Sequence, residues 1–320
     1  MNAPLRVLLA VLGFAITASA SAQGGPVRIL VGFAPGGTSD VIARLIVDRL
    51  KTSLDTPVLV ENRPGLNGIL AAEALKSAAP DGRTLMISPI VVTVFAPLTN
   101  ARLRYDPVKD FAPVSLAATF PFGLAVGPGS PAKTLHEYIA WVRGNPAKAT
   151  YGTPTAGSPP HLFGVMLSRT IGVELIFVPY KGGAPLVTDL VGGQVPAGIT
   201  VLSEMIKYHQ SGKVRILASS GSQRSPAAPD IPTFKELGFA AIEGTGWQAF
   251  HTAAGTPRPM IDRLSTAIAS AIRAPEVAER LLALGLEPVG STPEELARRE
   301  VEETARWAPI VKASGFRADE

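Results

Sequence analysis

Short apolar segments alternate with amphipathic ones along most of this chain of 320 residues, and turns containing Gly or Pro separate them. The run VRILVGF is typical of a strand, and residues 41–51 then repeat their apolar side chains at helical spacing. PVLVEN and RTLMIS are the next two predicted strands, with an Ala-rich helix at residues 69–78 between them. This alternation predicts an α/β fold in which a mainly parallel sheet carries helices on its faces.

The alternation resumes after residue 123, which predicts a second lobe of the same kind. The turn-rich stretches at residues 120–123 and 219–246 are the expected crossings between the lobes. Helices that follow Pro257, Ala274 and Thr292 then return to the first lobe, and Thr292 has the spacing of a capping box. The predicted limits are a signal segment at 1–22, a discontinuous first lobe at 23–121 and 245–320, and a second lobe at 122–244.

The first 22 residues have the pattern of a secretory signal peptide. Arg6 precedes an apolar stretch from Val7 to Ile16, and the small residues Ala20-Ser21-Ala22 form the expected cleavage site. A bilayer span needs about 17–25 apolar residues, and this stretch is much shorter. The sequence therefore predicts export and cleavage after residue 22.

Motifs of known enzyme classes are missing from the sequence. The chain has no Cys, which excludes thiolate zinc sites, iron–sulfur clusters and cysteine nucleophiles. It contains no nucleophile elbow, zinc-protease motif or phosphate-binding loop of the known patterns. The four histidines do not have the spacing of metal ligands; they are His136, His161, His209 and His251. We expect no metal, no cofactor and no catalysis.

The charge pattern argues against a nucleic-acid partner. The 30 basic and 26 acidic side chains give a net charge of +4, and no basic run occurs. Proteins that bind nucleic acids usually cluster their Lys and Arg residues on one face. A mildly basic surface instead favours small anionic ligands.

The turn FAPGGTSD, residues 33–40 and called the first turn below, joins the first strand to the first helix. Gly36 and Gly37 allow a ligand to approach the main chain closely. Free N–H groups at a helix start bind carboxylates and phosphates. The alternative is an ordinary strand-to-helix turn capped by Thr38 or Ser39.

A second such turn is YGTPTAGSPPH, residues 151–161, called the second turn below. It follows a strand, opens a helix, and offers the hydroxyls of Thr153, Thr155 and Ser158 beside Gly157. The alternative is a simple helix cap by Ser158. One such turn in each lobe predicts a cleft that closes on a small acid. VPYKGG, with Lys181, is a third strand-to-helix turn.

Taken in order, these segments resemble the substrate-binding proteins of tripartite tricarboxylate transporters, the Bug family of bacterial periplasmic receptors. The resemblance covers almost the whole chain after residue 22. It is carried by ILVGFAPGGTSDVIAR, VENRPGLNG, AAPDGRTLMI, YDPVKDFAPVSL, AGSPPHL, VPYKGGAPLVTDLVGGQV, SGKVRILA, RSPAAPDIPTFKELGF and AAGTPRPMIDRLS.

The resemblance implies a two-lobed type II periplasmic binding protein fold, a location in the periplasm and a monomer. It also implies that the receptor holds a small organic carboxylate in the interlobe cleft and delivers it unchanged to a permease of two integral membrane proteins. The expected ligand-binding residues of the first turn are Phe33, Pro35, Gly36, Gly37 and Asp40. Those of the second turn are Tyr151, Thr153, Thr155, Gly157, Ser158 and His161. The expected remaining lining is Ser88, Tyr180, Thr200 and Trp247, where Trp247 has packing at the hinge as its alternative role.

Three departures from the family pattern concern the ligand. SPIVVTVFAP replaces a more polar stretch, Thr200 stands where many relatives have Asp, and Val165 and Met166 stand where many have an acidic residue. A cleft with fewer acidic groups predicts a less polar ligand, such as an aromatic or branched acid.

Other functions remain open at this point. The same fold serves exported hydrolases, which would need an assembled nucleophile and base. It also serves ligand-sensing domains of transcription regulators, which would need a helix-turn-helix in place of the signal peptide. A receptor that signals to a membrane sensor instead of feeding a transporter has the same sequence features.

Overall fold

The structure is a computed structural model that describes residues 25–318. The predicted signal segment at residues 1–22 lies outside the described residues.

Before residue 111, strands and helices alternate as predicted. In chain order these elements are β1 (Val27–Val31), α1 (Thr38–Leu54), β2 (Val58–Asn62), α2 (Ile69–Lys76), β3 (Thr84–Pro89), α3 (Ala96–Thr99) and α4 (Pro107–Asp110). The buried side of α1 carries Ile42, Ile46 and Leu50, which follow the helical spacing seen in the sequence.

The middle and the end of the chain continue the alternation. The middle elements are β4 (Phe111–Val126), α5 (Leu135–Gly144), β5 (Thr150–Thr153), α6 (Pro159–Ile171), β6 (Ile176–Pro179), α7 (Gly183–Val191), β7 (Ala197–Val201), α8 (Leu202–Gln210) and β8 (Arg215–Ser219). The last elements are β9 (Thr245–Ala253), α9 (Arg258–Arg273), α10 (Pro275–Ala283), β10 (Glu287–Pro288) and α11 (Pro293–Ser314). The predicted α/β fold is confirmed.

The sheet changes its strand partners along β4. Strands β2, β1 and β3 are parallel, and β9 lies antiparallel between β3 and the first part of β4. The last part of β4 pairs with β7 on one side and β8 on the other, and β5 and β6 extend the sheet beyond β7 in parallel. The lobe limits that we propose fall where β4 exchanges β9 for β7 and β8.

Residues 120–123, expected as a turn-rich crossing between the lobes, form no turn, because β4 runs straight through them. Phe120 is opposite Gly246 of β9, and Phe122 is opposite Val201 of β7. Pro121 lies where the strand changes partners. Its missing N–H therefore costs few hydrogen bonds in the pairing with β9 or with β7 and β8. Gly246 leaves room for the two Phe rings, which a side chain at that position would hit.

An aromatic chain connects the two parts of the sheet. The ring of Phe95 lies 5.1 Å from that of Trp307 in α11, and Trp307 lies 5.6 Å from Phe163 in α6. Phe163 in turn contacts Phe122, which contacts Phe120. The continuous core therefore passes through the crossing strands instead of stopping between the lobes.

Helix α11 begins at the predicted capping box, in which Thr292 and Glu295 each accept a hydrogen bond from the other's backbone N–H. At the start of α5, the Thr134 hydroxyl accepts from the N–H of Glu137, but the Glu137 carboxylate accepts from the N–H of Lys133 and not from that of Thr134, so this capping box is only half formed. At its far end, α11 leads into a tail whose Phe316 ring contacts the His161 ring. The N–H of Ala318 donates to the carbonyl of Thr99. The tail therefore contacts both lobes as we divide them.

Candidate ligand-binding site

A cavity of about 300 Å³ lies between the first turn and the start of α8, and it is called the interlobe cavity below. Its lining residues are Gly36, Thr38, Val41, Val201, Ser203, Glu204, Ala283, Leu284 and Leu286. Its volume falls at the lower end of the range found for small-molecule sites.

The first turn is held in place by Asp40, which is buried beneath it. The Asp40 carboxylate accepts hydrogen bonds from the N–H of Gly36 at 2.9 Å, from Arg44 at 3.0 Å and from Asn62 at 2.9 Å. The bond from Arg44 is the main cause that lowers the pKa of Asp40 to about 2. Gly36 has a φ of +83°, which a residue with a side chain adopts only at a cost. Asp40 therefore fixes the turn from inside instead of facing the cavity.

The start of α1 presents donors to the cavity. Thr38 and Ser39 are its first two residues, so their N–H groups have no acceptor within the helix. The Ser39 hydroxyl is occupied by Gln248 of β9 at 2.7 Å, whereas Thr38 is exposed and lines the cavity. Because Arg44 neutralises Asp40, the positive end of this long helix is free to attract an anion.

The part of the cavity lining that α8 contributes carries an acid. Glu204 lies in the first turn of α8, and the hydroxyl of Thr200 donates to its Oε2 at 2.6 Å. The residue is exposed as a whole, but its carboxyl group packs against Thr200 and the main chain of Gly183, and this desolvation raises its pKa. The bond from Thr200 acts in the opposite direction. Glu204 is an acid of the cavity lining that lies outside the three departures from the family pattern described above.

The second turn forms a network of its own. The Ser158 hydroxyl donates to the carbonyl of Thr155 at 2.5 Å, and the Thr153 hydroxyl donates to the same carbonyl at 3.4 Å. The hydroxyl of the buried Tyr151 donates to the carbonyl of His161 at 3.0 Å. The Ser158 side chain makes no cap bond, so the simple-cap alternative is wrong.

His161 is buried within this network. The N–H of Gly157 donates to its Nδ1 at 3.1 Å, and the Phe177 ring lies 4.2 Å from the imidazole. Burial lowers the pKa of His161 to about 4, so the ring is neutral at pH 7. The Phe316 ring covers Gly157, and none of the second-turn residues lines the interlobe cavity.

The remaining expected lining residues lie away from the cavity surface. Ser88 and Trp247 are buried, and their Oγ and Nε1 atoms have no hydrogen-bond partner within residues 25–318. Tyr180 donates its hydroxyl to Asp189 at 3.0 Å, and Thr200 stands behind Glu204. Gly36 is the member of the expected set that lines the cavity itself; the first-turn members Phe33, Pro35, Gly37 and Asp40 do not.

Several lining residues were missed by the sequence analysis, namely Thr38 as a ligand contact, Ser203 and Glu204. The sequence signal that could have found Glu204 is its position four residues after Thr200, where a predicted strand ends and a helix begins. It would have marked a fourth strand-to-helix turn at the carboxyl edge of the sheet.

Comparison with known proteins decides the family. Residues 42–316 match the model of the tripartite tricarboxylate transporter family receptor. The chain belongs to this receptor family. Protein BugT of Bordetella pertussis is 32% identical over 98% of this chain and 97% of its own.

Solved structures of this receptor family superimpose well on the chain. An adipate-bound protein of R. palustris has a TM-score of 0.83 at 31% identity, covering 92% of this chain and 99% of its own. MatC from Rhodopseudomonas palustris, with bound malate, has a TM-score of 0.78 at 32% identity, covering 89% of this chain and 98% of its own. The periplasmic binding protein fold that the resemblance implied is confirmed.

Neither a membrane-spanning helix nor a metal-binding cluster is found among the residues that the structure describes. Across residues 25–318, no helix combines the length and apolar character that a bilayer crossing requires. In the same part of the chain, no group of three or more His, Asp or Glu side chains is placed to hold a metal ion.

The contact of Phe316 with the second turn leads to a prediction. Gly157 and Gly172 have nearly equal φ values, +68° and +65°, but a Cβ at Gly157 would meet Phe316 at 2.3 Å, whereas a Cβ at Gly172 would meet nothing within 4 Å. We expect Gly172→Ala to lower the free energy of unfolding by about 1 kcal/mol through backbone strain alone. Gly157→Ala should cost about 1 kcal/mol more, because the Phe316 ring must also move. Urea unfolding of both variants measures the difference.

A background without the ring separates the two effects. In Phe316→Ala, the two glycine replacements should become equally costly. If Gly157→Ala remains the more harmful change there, the tail does not press on the second turn.

Proposed function

We propose that this receptor captures a small organic carboxylate in the interlobe cavity and delivers it unchanged to a tripartite tricarboxylate-type transporter of two integral membrane proteins. The observation that carries the proposal is that the helix start of α1, with Gly36 and Thr38, lines a cavity of about 300 Å³ together with Glu204 of α8. The bound adipate and malate of two family members support the ligand class.

The ligand carboxylate would lie at the start of α1. Backbone N–H groups and the Thr38 hydroxyl can donate to it, and the dipole of a helix of 17 residues favours its charge. Asp40 adds no net repulsion, because Arg44 pairs with it at 2.9 Å. The apolar side chains of Val41, Val201 and Leu286 would contact the ligand's carbon atoms.

Binding would close the cavity by bringing the two lobes together. The lining comes from the first turn and the segment 283–286 on one side and from α8 on the other, so a ligand that contacts both stabilises the closed arrangement. The crossing strands β4 and β9, with Phe120, Phe122 and Gly246 packed between them, are the hinge that we propose. Release to the permease requires no chemical step on the ligand.

Export to the periplasm is part of this proposal. It is supported by the signal pattern of residues 1–22 and by the family's role as a transporter receptor. A receptor of this kind meets its permease at the periplasmic face of the cytoplasmic membrane.

Thermal unfolding against a panel of acids tests the proposal. The panel runs from malate, adipate and citrate to benzoate and branched-chain acids, each paired with its amide at the same ionic strength. A ligand present at about 100 times its Kd stabilises the folded state by about 2.7 kcal/mol, which raises Tm by about 4–5 °C in a protein of this size. We expect at least one acid to raise Tm while its amide does not.

Carried-over ligand is removed first by unfolding in denaturant, dialysis and refolding. If the refolded protein then shows no shift with any acid, or equal shifts with acids and amides, it is not a carboxylate receptor.

A further inference from the structure

Glu204 is an acceptor in the interlobe cavity that the protein leaves largely without donors. Its carboxylate receives one hydrogen bond, from Thr200, and no Lys or Arg of the described residues forms an ion pair with it. Thr200 is fully buried, so it cannot turn towards the ligand and serves to orient the acid. Each carboxylate oxygen can accept about two hydrogen bonds, so capacity remains open toward the cavity.

Gly183 leaves room for the carboxylate of Glu204. A Cβ atom at Gly183 would lie 1.9 Å from Oε2 of Glu204, so the carboxylate rests directly against the main chain at the start of α7. With Thr200 on the other side, the acid is confined between β7 and α7. The residue as a whole is exposed at the cavity surface, and these two contacts hold its carboxylate in place there.

The two polar ends of the cavity have opposite hydrogen-bonding character. The start of α1 offers N–H and O–H donors and a positive dipole, whereas the opposite wall offers the acceptor oxygens of Glu204. Apolar side chains such as Val41 and Leu284 also line the cavity. A ligand that pairs with both groups carries a carboxylate for the helix start and a hydrogen-bond donor for Glu204.

We propose that Glu204 is a specificity-determining residue that accepts a hydrogen bond from the ligand, so the preferred ligand is a carboxylate with an ammonium or hydroxyl donor at its far end. This inference rests on the function proposed above. A dianion of the same length brings a second carboxylate against Glu204, and like charges in a partly desolvated site repel each other. The raised pKa of Glu204 agrees with an acid that lacks protein donors.

Isothermal titration with ligands of equal length tests this at neutral pH. The first set is 6-aminohexanoate, 6-hydroxyhexanoate, adipate and hexanoate, and the second set is the corresponding acids of four carbons. We expect the wild-type protein to bind the amino or hydroxy acid of a set about tenfold or more tightly than the dianion, as one charge-assisted hydrogen bond allows. In Glu204→Gln, the ratio should shift by about tenfold or more towards the dianion, because the amide is neutral and can donate.

Control variants make the outcome decisive. Glu174→Gln removes the same charge from an exposed position of the second lobe outside the cavity lining, and it should keep the wild-type ratios. Glu204→Ser removes the carboxylate in a different way, and it should also lose the preference for the amino or hydroxy acid over the dianion. If both Glu204 variants keep the wild-type ratios, Glu204 does not select the ligand, although the carboxylate function stands. If no acid of either set binds to any of the proteins, the carboxylate function falls, and this inference falls with it.

Discussion

Replacement of Asp40 by Ala is expected to lower ligand affinity at least about tenfold and to lower the free energy of unfolding by about 2–4 kcal/mol. The carboxylate accepts hydrogen bonds from Gly36, Arg44 and Asn62, and Ala leaves these donors without an acceptor in a buried place. An unsatisfied buried polar group costs about 1–3 kcal/mol. The first turn then loses the hydrogen bond that holds Gly36 at its φ of +83°. The backbone N–H groups at the start of α1 are then no longer held pointing at the same place.

Titration calorimetry with an acid found by the thermal panel, together with urea unfolding, measures the two effects of Asp40→Ala. Asp48→Ala is the matched control, because Asp48 is an exposed carboxylate of the same helix. Asp40→Asn keeps the size of the side chain but weakens the bond to Arg44, so its losses should be intermediate. Unchanged affinity in a folded Asp40→Ala protein would exclude the first turn from the ligand site.

The pH dependence of the Asp40 contribution has a definite sign. Its pKa is lowered to about 2 from the ordinary 3.8, chiefly by the hydrogen bond from Arg44. The stabilisation is therefore complete above about pH 4 and is lost as the pH falls towards 2. The difference in stability between the wild type and Asp40→Asn should shrink over this range.

His161 is expected to make the protein less stable by about 3 kcal/mol as the pH falls from 6.5 to 4. Burial lowers the pKa of its imidazole to about 4 from 6.5. Between these two pH values the unfolded chain binds a proton at His161, whereas the folded chain does not. The free energy of unfolding therefore decreases over this interval, by about 1.4 kcal/mol each time the pH falls by one.

His161→Asn should remove this slope. The amide oxygen of Asn can replace Nδ1 as the acceptor for the N–H of Gly157, but it does not titrate. The variant loses ring contacts with Phe177 and Phe316, so it should be less stable at pH 8 yet flatter between pH 6.5 and 4. His136→Asn, at an exposed position, should keep the wild-type profile. A wild-type slope in His161→Asn would mean that His161 is not buried as a neutral ring.

Local patterns predicted most of the strands and helices. The apolar spacing of residues 41–51 identified α1, and the Thr292 and Glu295 pair identified the start of α11, because burial on one helix face and a cap bond are both local in the chain. Residues 120–123 form a strand instead of the expected turn for the opposite reason. Pro and Gly there suggest a turn, but pairing with strands from elsewhere in the chain keeps β4 extended.

The candidate site was predicted only in part. The first turn and its helix start were recognised, since strand, glycines and helix follow each other directly. Glu204 was not, because its role depends on Thr200, on the bare main chain of Gly183 and on the first turn of the other lobe. His161 has a chemically versatile side chain, and only the covering rings of Phe177 and Phe316 reveal it as a buried neutral group.

The sequence by itself determined the fold class and the family, because the apolar periodicity of helices and strands and the turns that join them depend on residues that are close together in the chain. The tertiary structure decided which side chains face the cavity and which hold it from behind. Asp40 and Thr200 support the site while Thr38 and Glu204 line it. That division depends on the direction of each side chain against partners far away in the chain, and close packing sets those directions only when the lobes are assembled.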